Sequence, residues 1–511
     1  CNPRIDAIGK SAPTSMMATS VGTTAASNPT ADDTSGDDPG ILFDQGLPPD
    51  GGGPMGDPCK VSDDGNAVGK CGTAAPPDSF EPDVQWEWTG VTLRQSVVTP
   101  VVVNLTDDDG NGTIDLCDVP DVVLISNAGI SYGTTCFVHI LDGETGVEHF
   151  SILPTESVSC TATPALGDID GDGLPEIVAI WNAGGVFHLK AFEHDGTVKW
   201  ANTTDGDAAA QFYRESGAVA LHDLDADGDV EIVFNHEVYD HNGVLLWEKM
   251  NPAPGELEAT TAADLDGDGK LEVITGTQVL DGATGMPKPK TIMNGLGGGY
   301  PAIGDFNMDG HPDIVLITSA SGGQRVQVID YFNNGFIMPP TPAANGWGGA
   351  PTVADFDGDG RPEFATAGSH YYYVYSPDCL QSPLPAKCKG MDAGVLWQAG
   401  IQDTSSGSTG SSVFDFNGDG AAEVVYRDEC WLRVFSGREG KKLFAAPVTS
   451  GTIVEEPIIA DTDGDGHSEI VVTSDNVQGG ACRIGSFPRE LGIDHPGPTY
   501  GVRVFVDPLN R

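Results

Sequence analysis

Short runs of β-branched and other apolar residues recur along the chain from about residue 84 onward. Five of them are nearly alike, at 176–180 (EIVAI), 231–235 (EIVFN), 272–276 (EVITG), 313–317 (DIVLI) and 469–473 (EIVVT). Gly, Asp and Pro flank these runs, as is typical of short β-strands that end in tight turns. No long segment keeps the apolar period of a helix. The pattern predicts an all-β protein.

The strands belong to a repeated unit that starts with an acidic loop. Successive loops begin between 41 residues apart, from Asp264 to Asp305, and 61 residues apart, from Asp107 to Asp168. Each unit ends in a hairpin with an Asp-Gly, Asn-Gly or Thr-Gly turn, which accommodates positive φ. About four strands fit in one unit, the size of a propeller blade. Eight loops predict an eight-bladed β-propeller, with seven blades as the alternative if one unit is degenerate.

The two ends of the repeated region complement each other. Residues 84–90 (VQWEWTG) resemble the outermost strands predicted at 197–203 (TVKWANT) and 244–250 (VLLWEKM), whereas the last unit ends at 502–511 without such a Trp-bearing strand. We therefore expect the segment around Trp86–Trp88 to complete the final blade. Ring closure of this kind removes exposed sheet edges.

The segment before the repeats has a different composition. Residues 1–82 are rich in Ser, Thr, Ala, Gly, Pro and Asp, as in 30–40 (TADDTSGDDPG), and only short apolar islands interrupt them at 15–21 and 41–43. Such a segment lacks the apolar surface that offsets ordering entropy. The sequence predicts a low-complexity N-terminal arm or linker at 1–82, with a small loop closed by Cys59 and Cys71, followed by a propeller at 83–511.

The acidic loop has the pattern D-x-[DN]-x-D-G-x-x-[DE]. Positions 1, 3 and 5 bring three side-chain oxygens together, Gly at position 6 allows the turn, position 7 offers its carbonyl, and position 9 adds a carboxylate. Calcium takes six to eight oxygens flexibly, whereas magnesium demands an octahedron. One such loop could simply satisfy its own backbone, but seven in register favour Ca²⁺. The predicted ligands are Asp168, Asp170, Asp172, Leu174, Glu176, Asp223, Asp225, Asp227, Asp229, Glu231, Asp264, Asp266, Asp268, Lys270, Glu272, Asp305, Asn307, Asp309, His311, Asp313, Asp355, Asp357, Asp359, Arg361, Glu363, Asp415, Asn417, Asp419, Ala421, Glu423, Asp461, Asp463, Asp465, His467 and Glu469.

The eighth loop, first along the chain, contains an insertion. Asn104 stands where the other loops begin with Asp, and Pro120-Asp121-Val122 resumes the strand as Pro175-Glu176-Ile177 does. The insertion at 107–118 matches a twelve-residue EF-hand loop, although Asp in place of Glu at its last position shortens the reach. Its predicted calcium ligands are Asp107, Asp109, Asn111, Thr113, Asp115 and Asp118.

The repeats resemble FG-GAP/VCBS repeats, the calcium-binding propeller repeats of integrin α subunits, over roughly residues 84–511. The segments 304–316 (GDFNMDGHPDIVL) and 354–366 (ADFDGDGRPEFAT) match the family pattern closely. The resemblance implies one Ca²⁺ per loop, about eight in all, on one face of the ring. It also implies a role in adhesion, recognition or carbohydrate binding, in a bacterial secreted protein or lipoprotein.

The charge of the chain narrows the choice of partners. Asp and Glu number 75 against 25 Lys and Arg, a formal charge of −50. This excess argues against binding to nucleic acid, which needs a basic surface, and against docking on anionic lipid. A hydrophobic content of 39% is too high for a disordered acidic chain. Bound cations are therefore favoured, and no apolar run approaches the length of a membrane span.

Ten cysteines indicate an oxidising compartment, so we expect an extracellular or cell-surface protein. The chain starts at Cys1, which resembles a mature bacterial lipoprotein with a lipid anchor; the alternative is a trimmed chain with Cys1 in a disulfide. Sequons at Asn104, Asn111 and Asn202 and the Ser/Thr-rich arm would allow glycosylation. The expected disulfides join Cys379 to Cys388 and Cys430 to Cys482, while Cys117, Cys136 and Cys160 form an odd trio.

Two classes of function follow from these patterns. Rhamnogalacturonan lyases have a similar architecture, but the candidate catalytic residues do not form a spaced constellation, so we predict a protein that is not an enzyme. The leading hypothesis is a structural or adhesion protein whose N-terminal arm joins copies of the chain into a filament. A polysaccharide-binding protein and a monomeric lipid-anchored adhesin are the alternatives. The candidate lyase residues are Arg214, Glu215, His222, His236 and His241.

Overall fold

The computed structural model describes residues 82–506, except 91–94, 128–135, 157, 183–185, 204–215, 250–259, 291, 294–295, 319–322, 345–347, 369, 391, 404–408, 453–454, 477–481 and 483–488. The predicted N-terminal arm, apart from its last residue, lies outside the described residues. The same holds for Cys1 and for the predicted pairing of Cys59 with Cys71. No helix in the described part of the chain is long and apolar enough to cross a membrane.

Eight sheets of mainly antiparallel strands form the blades of a propeller, and the short strands at Arg489–Glu490 and Ile493–Asp494 form a separate two-stranded sheet. The strands of the first half are β1 (Asp83–Trp88), β2 (Val101–Val103), β3 (Asp121–Ser126), β4 (Phe137–Asp142), β5 (Glu148–Ile152), β6 (Thr161–Thr163), β7 (Ala165–Gly167), β8 (Glu176–Asn182), β9 (Phe187–Phe192), β10 (Val198–Ala201), β11 (Ser216–His222), β12 (Glu231–Phe234), β13 (Glu237–Tyr239), β14 (Leu245–Glu248), β15 (Thr261–Ala263), β16 (Glu272–Ile274) and β17 (Val279–Asp281).

The second half continues the series with strands of similar length. They are β18 (Gly299–Gly304), β19 (Asp313–Thr318), β20 (Arg325–Asp330), β21 (Gly335–Pro342), β22 (Thr352–Ala354), β23 (Glu363–Ala367), β24 (Tyr371–Tyr375), β25 (Val395–Gly400), β26 (Ser412–Phe414), β27 (Glu423–Arg427), β28 (Trp431–Phe435), β29 (Lys442–Pro447), β30 (Ile458–Ala460), β31 (Glu469–Ser474), β32 (Arg489–Glu490), β33 (Ile493–Asp494) and β34 (Gly501–Val506). Short 3-10 helices lie at Pro154–Glu156 and Pro377–Leu380.

The order of hydrogen-bonded strands gives the blades. Blades 1 to 3 are β2–β5, β7–β10 and β11–β14, with β6 parallel to β11, and blade 4 is β15–β17. Blades 5 to 7 are β18–β21, β22–β25 and β26–β29, and blade 8 is β30, β31, β34 and β1. The eight-bladed prediction is confirmed and the seven-bladed alternative is wrong.

Ring closure takes place in blade 8. β1 pairs with β34 in antiparallel register from Asp83 opposite Val506 to Trp88 opposite Val502, with a bulge near Val84. The N-terminal strand is thus hydrogen-bonded to the C-terminal strand, as the Trp-bearing pattern predicted. Blade 8 therefore joins the two ends of the repeated region in one sheet.

Blade 4 departs from the expected four strands. Its third strand, β17, is followed at 286–290 by Met-Pro-Lys-Pro-Lys, in which Pro287 and Pro289 have no backbone N–H to donate. Two hydrogen bonds of 2.9 Å still hold this segment against β17, from Asp281 N–H to the Met286 carbonyl and from Lys288 N–H to the Val279 carbonyl. The prolines therefore replace a fourth strand with a short bridge.

The hydrophobic core lies between the blades. Successive side chains of a strand point to opposite faces, and in β8 Ile177 and Ala179 pack toward blade 1 while Val178 and Ile180 pack toward blade 3. Eight clusters of this kind fill the spaces between consecutive blades. Strands buried on both faces explain the nearly continuous apolar runs of the sequence.

Tryptophans of the outermost strands bind the next blade. In blade 3 the indole N–H of Trp247 donates to the Gly282 carbonyl at 2.7 Å, and its ring lies on Gly285. Gly285 has a φ of +67°, and a Cβ there would lie 2.6 Å from the ring. Equivalent contacts join Trp86 to Gly143 and Gly146, Trp200 to His241 and Gly243, and Trp397 to Gly437 and Gly440.

Disulfides reinforce connections between strands. The two predicted pairings, Cys379 with Cys388 and Cys430 with Cys482, are confirmed, and the second joins blade 7 to the long connection in blade 8. Within the odd trio, Cys136 is bonded to Cys160, and Cys117 is also disulfide-bonded.

Replacing Trp86 tests ring closure. Trp86 is 7% exposed and contacts blade 1 from the closing strand. We expect Trp86→Ala to lower the free energy of unfolding by about 3 kcal/mol, as for other large-to-small substitutions in a core. Trp86→Phe, which keeps most of the ring contact but loses the indole hydrogen bond, should cost about 1 kcal/mol. Urea denaturation measures both, and a Trp86→Ala protein as stable as the parent would contradict closure by β1.

Candidate metal centres

All eight acidic loops lie at the same end of their blades. Each regular loop connects the first strand of a blade to the second, and in the blades with four consecutive strands a hairpin connects the third strand to the fourth. Because neighbouring strands are antiparallel, loop and hairpin come to the same end. Side chains from the hairpin and the fourth strand can therefore reach the loop of their own blade.

One hydrogen bond recurs in every loop. The carboxylate at position 9, the first residue of the second strand, accepts from the backbone N–H at position 2, over 2.8–3.1 Å. In blade 2, Glu176 Oε2 accepts from Ile169 at 2.9 Å. The remaining pairs are Asp121 with Leu105, Glu231 with Leu224, Glu272 with Leu265, Asp313 with Phe306, Glu363 with Phe356, Glu423 with Phe416 and Glu469 with Thr462.

The carboxylate at position 1 shapes the loop. Asp168 accepts from the N–H groups of Gly171, Asp172 and Gly173 at 2.7, 3.2 and 2.9 Å. Both glycines have positive φ, +76° and +92°, a backbone conformation that glycine adopts without steric cost. Asp172, at position 5, in turn accepts from Leu174 N–H at 2.9 Å. These bonds curl the loop so that its carboxylates face one another.

The carboxylates that face one another lie close enough to share an ion. Oxygen atoms of Asp168, Asp170 and Glu176 lie within 4.8 Å of one another. The same holds for three other sets of carboxylates, which have no nitrogen or sulfur donor among them. These sets are Asp223, Asp225 and Asp227; Asp264, Asp266 and Glu272; and Asp107, Asp109 and Asp118.

Several loop oxygens are buried without a hydrogen-bond donor. Asp225 Oδ1, Asp313 Oδ1 and Glu469 Oε1 have almost no exposed surface, and no hydrogen bond reaches them. An uncompensated buried carboxylate oxygen costs several kcal/mol. A cation bound among these oxygens would remove the cost, so the donor set fits a metal ion that prefers oxygen ligands.

Burial also makes the position-9 carboxyls hard to ionise. It raises the pKa of Glu231 to about 7, that of Asp313 to about 8 and that of Glu469 to about 9, and the neighbouring loop carboxylates raise these values further. Each backbone N–H bond works in the opposite direction but is the weaker influence. In all three loops the carboxylate form therefore needs a positive charge close by.

The inserted loop of blade 1 builds a cluster of its own. Asp107 accepts from the N–H groups of Asn111 and Gly112 at 3.0 and 2.9 Å, as position 1 does elsewhere. Asp118 accepts from Asp108 N–H at 2.9 Å, as position 9 does elsewhere. Asn104 instead donates to the Asp118 carbonyl at 3.3 Å. The insertion therefore reproduces the geometry of a regular loop beside the original one.

Sequence reasoning missed Asp121. It is fully buried, and its bond to Leu105 marks it as the position-9 carboxylate of the original loop in blade 1. Burial raises its pKa to about 7. His149 Nε2 lies 3.6–3.7 Å from oxygens of Asp108, Asp121 and Asp142. The match between Pro120-Asp121 and Pro175-Glu176 was the available signal.

Lysines next to three loops were also missed. The Lys199 ammonium lies 2.5 Å from Asp170 and 3.2 Å from both Glu176 and Glu193. Partial burial lowers the pKa of Lys199, but its hydrogen bonds to these carboxylates outweigh that and raise it above the usual value. The signal was the spacing, since Lys199 and Lys288 each stand three residues after a hairpin glycine, Gly196 and Gly285.

The other proposed ligands stay predictions. The position-7 residues, from Leu174 to His467, and Asn111, Thr113 and Asp115 lie in their loops, where hydrogen bonds order their backbone. The prediction that a carbonyl or side chain of these residues binds an ion rests on the spacing alone. The geometry itself brings together the side-chain carboxylates.

The described candidate lyase histidines do not all lie at one end of their blade. His222 is 3% exposed inside β11, and burial lowers its pKa to about 4, so it is neutral and shielded from solvent. His236 lies in the turn between β12 and β13, whereas His241 lies in the hairpin at the opposite end of the blade. Arg214 and Glu215 lie outside the described residues.

Solved structures of other proteins have a similar fold. The V. cholerae biofilm matrix protein Bap1 is 17% identical, covers 84% of this chain and 91% of its own, and gives a TM-score of 0.64. The rhamnogalacturonan lyase YesW is 17% identical over 78% of this chain and 74% of its own, with a TM-score of 0.52. The Bacillus licheniformis rhamnogalacturonan lyase PL11 is 18% identical over 77% and 72%, with a TM-score of 0.49. At these identities the likeness establishes the fold alone.

Sequence comparison identifies the repeat. None of the curated proteins matches this chain significantly. Residues 290–366, which include the loops of blades 5 and 6, match the FG-GAP-like repeat family. The match confirms the resemblance seen in the two most regular loops. The chain therefore carries FG-GAP-like repeats and folds as an eight-bladed β-propeller.

Proposed function

We propose that the chain is an extracellular scaffold whose eight blades are fixed by calcium. The observation that carries the proposal is the recurring hydrogen bond from the backbone N–H at position 2 to one carboxylate oxygen at position 9. This bond fixes the position-9 carboxylate beside the other acidic side chains of its loop. Oxygen-only donors in a flexible loop match calcium better than magnesium or zinc. About eight Ca²⁺ would add 16 positive charges to a chain of net charge −50.

Disulfides support an extracellular location. The bonds from Cys136 to Cys160, from Cys379 to Cys388 and from Cys430 to Cys482 fit an oxidising compartment. Biofilm matrix protein Bap1 has a similar propeller, and we place this chain in a structural or adhesive role of the same kind. The lyase alternative is disfavoured because His222 is buried and neutral and His236 and His241 lie at opposite ends of a blade.

The N-terminal arm is proposed to join copies of the chain into a filament. β1 is the outermost strand of blade 8, so the chain before Asp83 leaves the propeller at its rim. A segment of about 80 residues from that point could lie along a neighbouring propeller or add a strand to one of its edges. Head-to-tail contacts that do not close into a ring produce filaments. The alternative is a monomeric adhesin anchored by lipid at Cys1.

Calcium should remove the loss of stability that a rise in pH causes. The raised pKa values of Glu231, Asp313 and Glu469 mean that ionising these groups opposes folding as the pH rises from about 4.5 toward 9. In EDTA the melting temperature should therefore fall between pH 5 and pH 8. Excess calcium should remove this fall and raise the melting temperature at pH 7.5 by more than about 10 °C. Scanning calorimetry measures both effects. A melting temperature in EDTA that rises between pH 5 and pH 8 would contradict the idea that the loop carboxylates lack a compensating charge without calcium.

Deleting the arm should abolish self-assembly. We expect the intact chain to form filaments, and the chain from Asp83 onward to stay a folded monomer because β1 is retained. Light scattering and electron microscopy compare the two, with circular dichroism as the check on folding. Filaments from the truncated chain would exclude the arm as the connector. An intact chain of monomer mass would favour the anchored adhesin.

A further inference from the structure

Blades 2, 4 and 6 each place a lysine ammonium among the carboxylates of the acidic loop. In blade 2, Lys199 reaches Asp170 and Glu176, at positions 3 and 9 of the loop, and Glu193 of the hairpin. Its side chain is 15% exposed. The ammonium thus occupies the space on which these carboxylates converge and is held in place from three sides.

Blade 4 repeats the arrangement with Lys288. Its ammonium lies 3.1 Å from Asp266, 2.7 Å from Glu272 and 4.0 Å from Asp281. Asp266 and Glu272 are again positions 3 and 9, and Asp281 is the hairpin carboxylate. The proline-interrupted segment that replaces a fourth strand therefore still delivers a lysine to the loop.

Blade 6 reaches the same result by a different route. Lys387 belongs to the excursion closed by the disulfide between Cys379 and Cys388. Its ammonium lies 2.9 Å from Asp357 and 2.6 Å from Asp359, at positions 3 and 5. Two different backbone routes thus bring a cation to the same part of the loop, so the arrangement does not depend on one strand geometry.

A lysine accompanies the loop in three of the five regular blades whose position 3 is Asp. Position 3 is the neutral Asn307 and Asn417 in blades 5 and 7. Blades 3 and 8 have Asp at position 3 without the lysine: the loop of blade 3 has five acidic residues and the site of the lysine, three residues after Gly243, is Leu246, and blade 8 has no lysine in its sequence. Leu246 is 49% exposed. Blade 3 is therefore a natural counterpart of blade 2 without the cation.

We infer that Lys199, Lys288 and Lys387 are internal counter-cations that hold their loops together when calcium is removed and weaken calcium binding at those loops. The inference rests on the proposed calcium function. A unit positive charge about 3–4 Å from the carboxylates neutralises part of their repulsion and repels an incoming divalent cation. The ring then has two kinds of calcium site, and the loops of blades 2, 4 and 6 empty first as calcium falls.

Exchanging the residues between blades 2 and 3 tests the inference. Lys199→Met keeps the length of the side chain without its charge. It should lower the melting temperature in EDTA by several degrees, leave it unchanged in excess calcium, and tighten one calcium-binding step about tenfold or more. Leu246→Lys should do the reverse, raising the melting temperature in EDTA and weakening one step by a similar factor. Calorimetric calcium titration and thermal melts of the full chain measure these effects.

Lys389→Met is the matched control. Lys389 is 49% exposed and pairs with Glu439 on the surface, so its loss should change neither quantity. Weaker calcium binding in Lys199→Met, or an unchanged melting temperature in EDTA, would overturn the inference while leaving the calcium function intact. A parent protein that binds no calcium would instead overturn the proposed calcium function. The proposed competition between lysine and calcium would then fall as well.

Discussion

The acidic loops of blades 1 to 4 each bring three carboxylates within 4.8 Å of one another, and the second strand of every blade begins at the position-9 carboxylate. Carboxylates this close together and partly buried cannot all be charged unless a cation balances them. The oxygens of Asp225, Asp313 and Glu469 that are buried and accept no hydrogen bond mark where such a cation would bind. The second strand packs against the blades on both sides, so the charge balance of the loop acts next to two packed interfaces.

The packing between blades makes this local balance matter for the whole ring. Apolar clusters lie between neighbouring blades, so one blade is stable only against the next. Trp86, Trp200, Trp247 and Trp397 extend the dependence to the rim. With β1 paired to β34, the ring has no first or last blade from which unfolding could start freely. Each acidic loop lies beside two such interfaces, so a cation bound in the loop would support both.

The sequence was sufficient for features in which spacing alone determines contact. Each acidic loop is formed by residues close together in the sequence, so the number of loops predicted the number of blades. The Trp-bearing strand at 84–90 predicted how the ring closes. Asp121 was missed because the insertion at 107–118 separates it from Asn104 and supplies a second set of carboxylates. The lysines were missed because their contacts depend on strand pairing, which brings Lys199 to a loop some 30 residues earlier. Pro287 and Pro289 were visible, but only the structure shows that they remove the fourth strand of blade 4.

The acidic loops are the part of the ring on which the proposed calcium function depends. The most direct measurement is the number of calcium ions that remain bound to the purified full-length chain after gel filtration, from metal analysis combined with native mass spectrometry. The loop geometry predicts about eight per chain, all lost in EDTA together with much of the thermal stability. A chain that carries no calcium and melts at the same temperature with and without EDTA would contradict it.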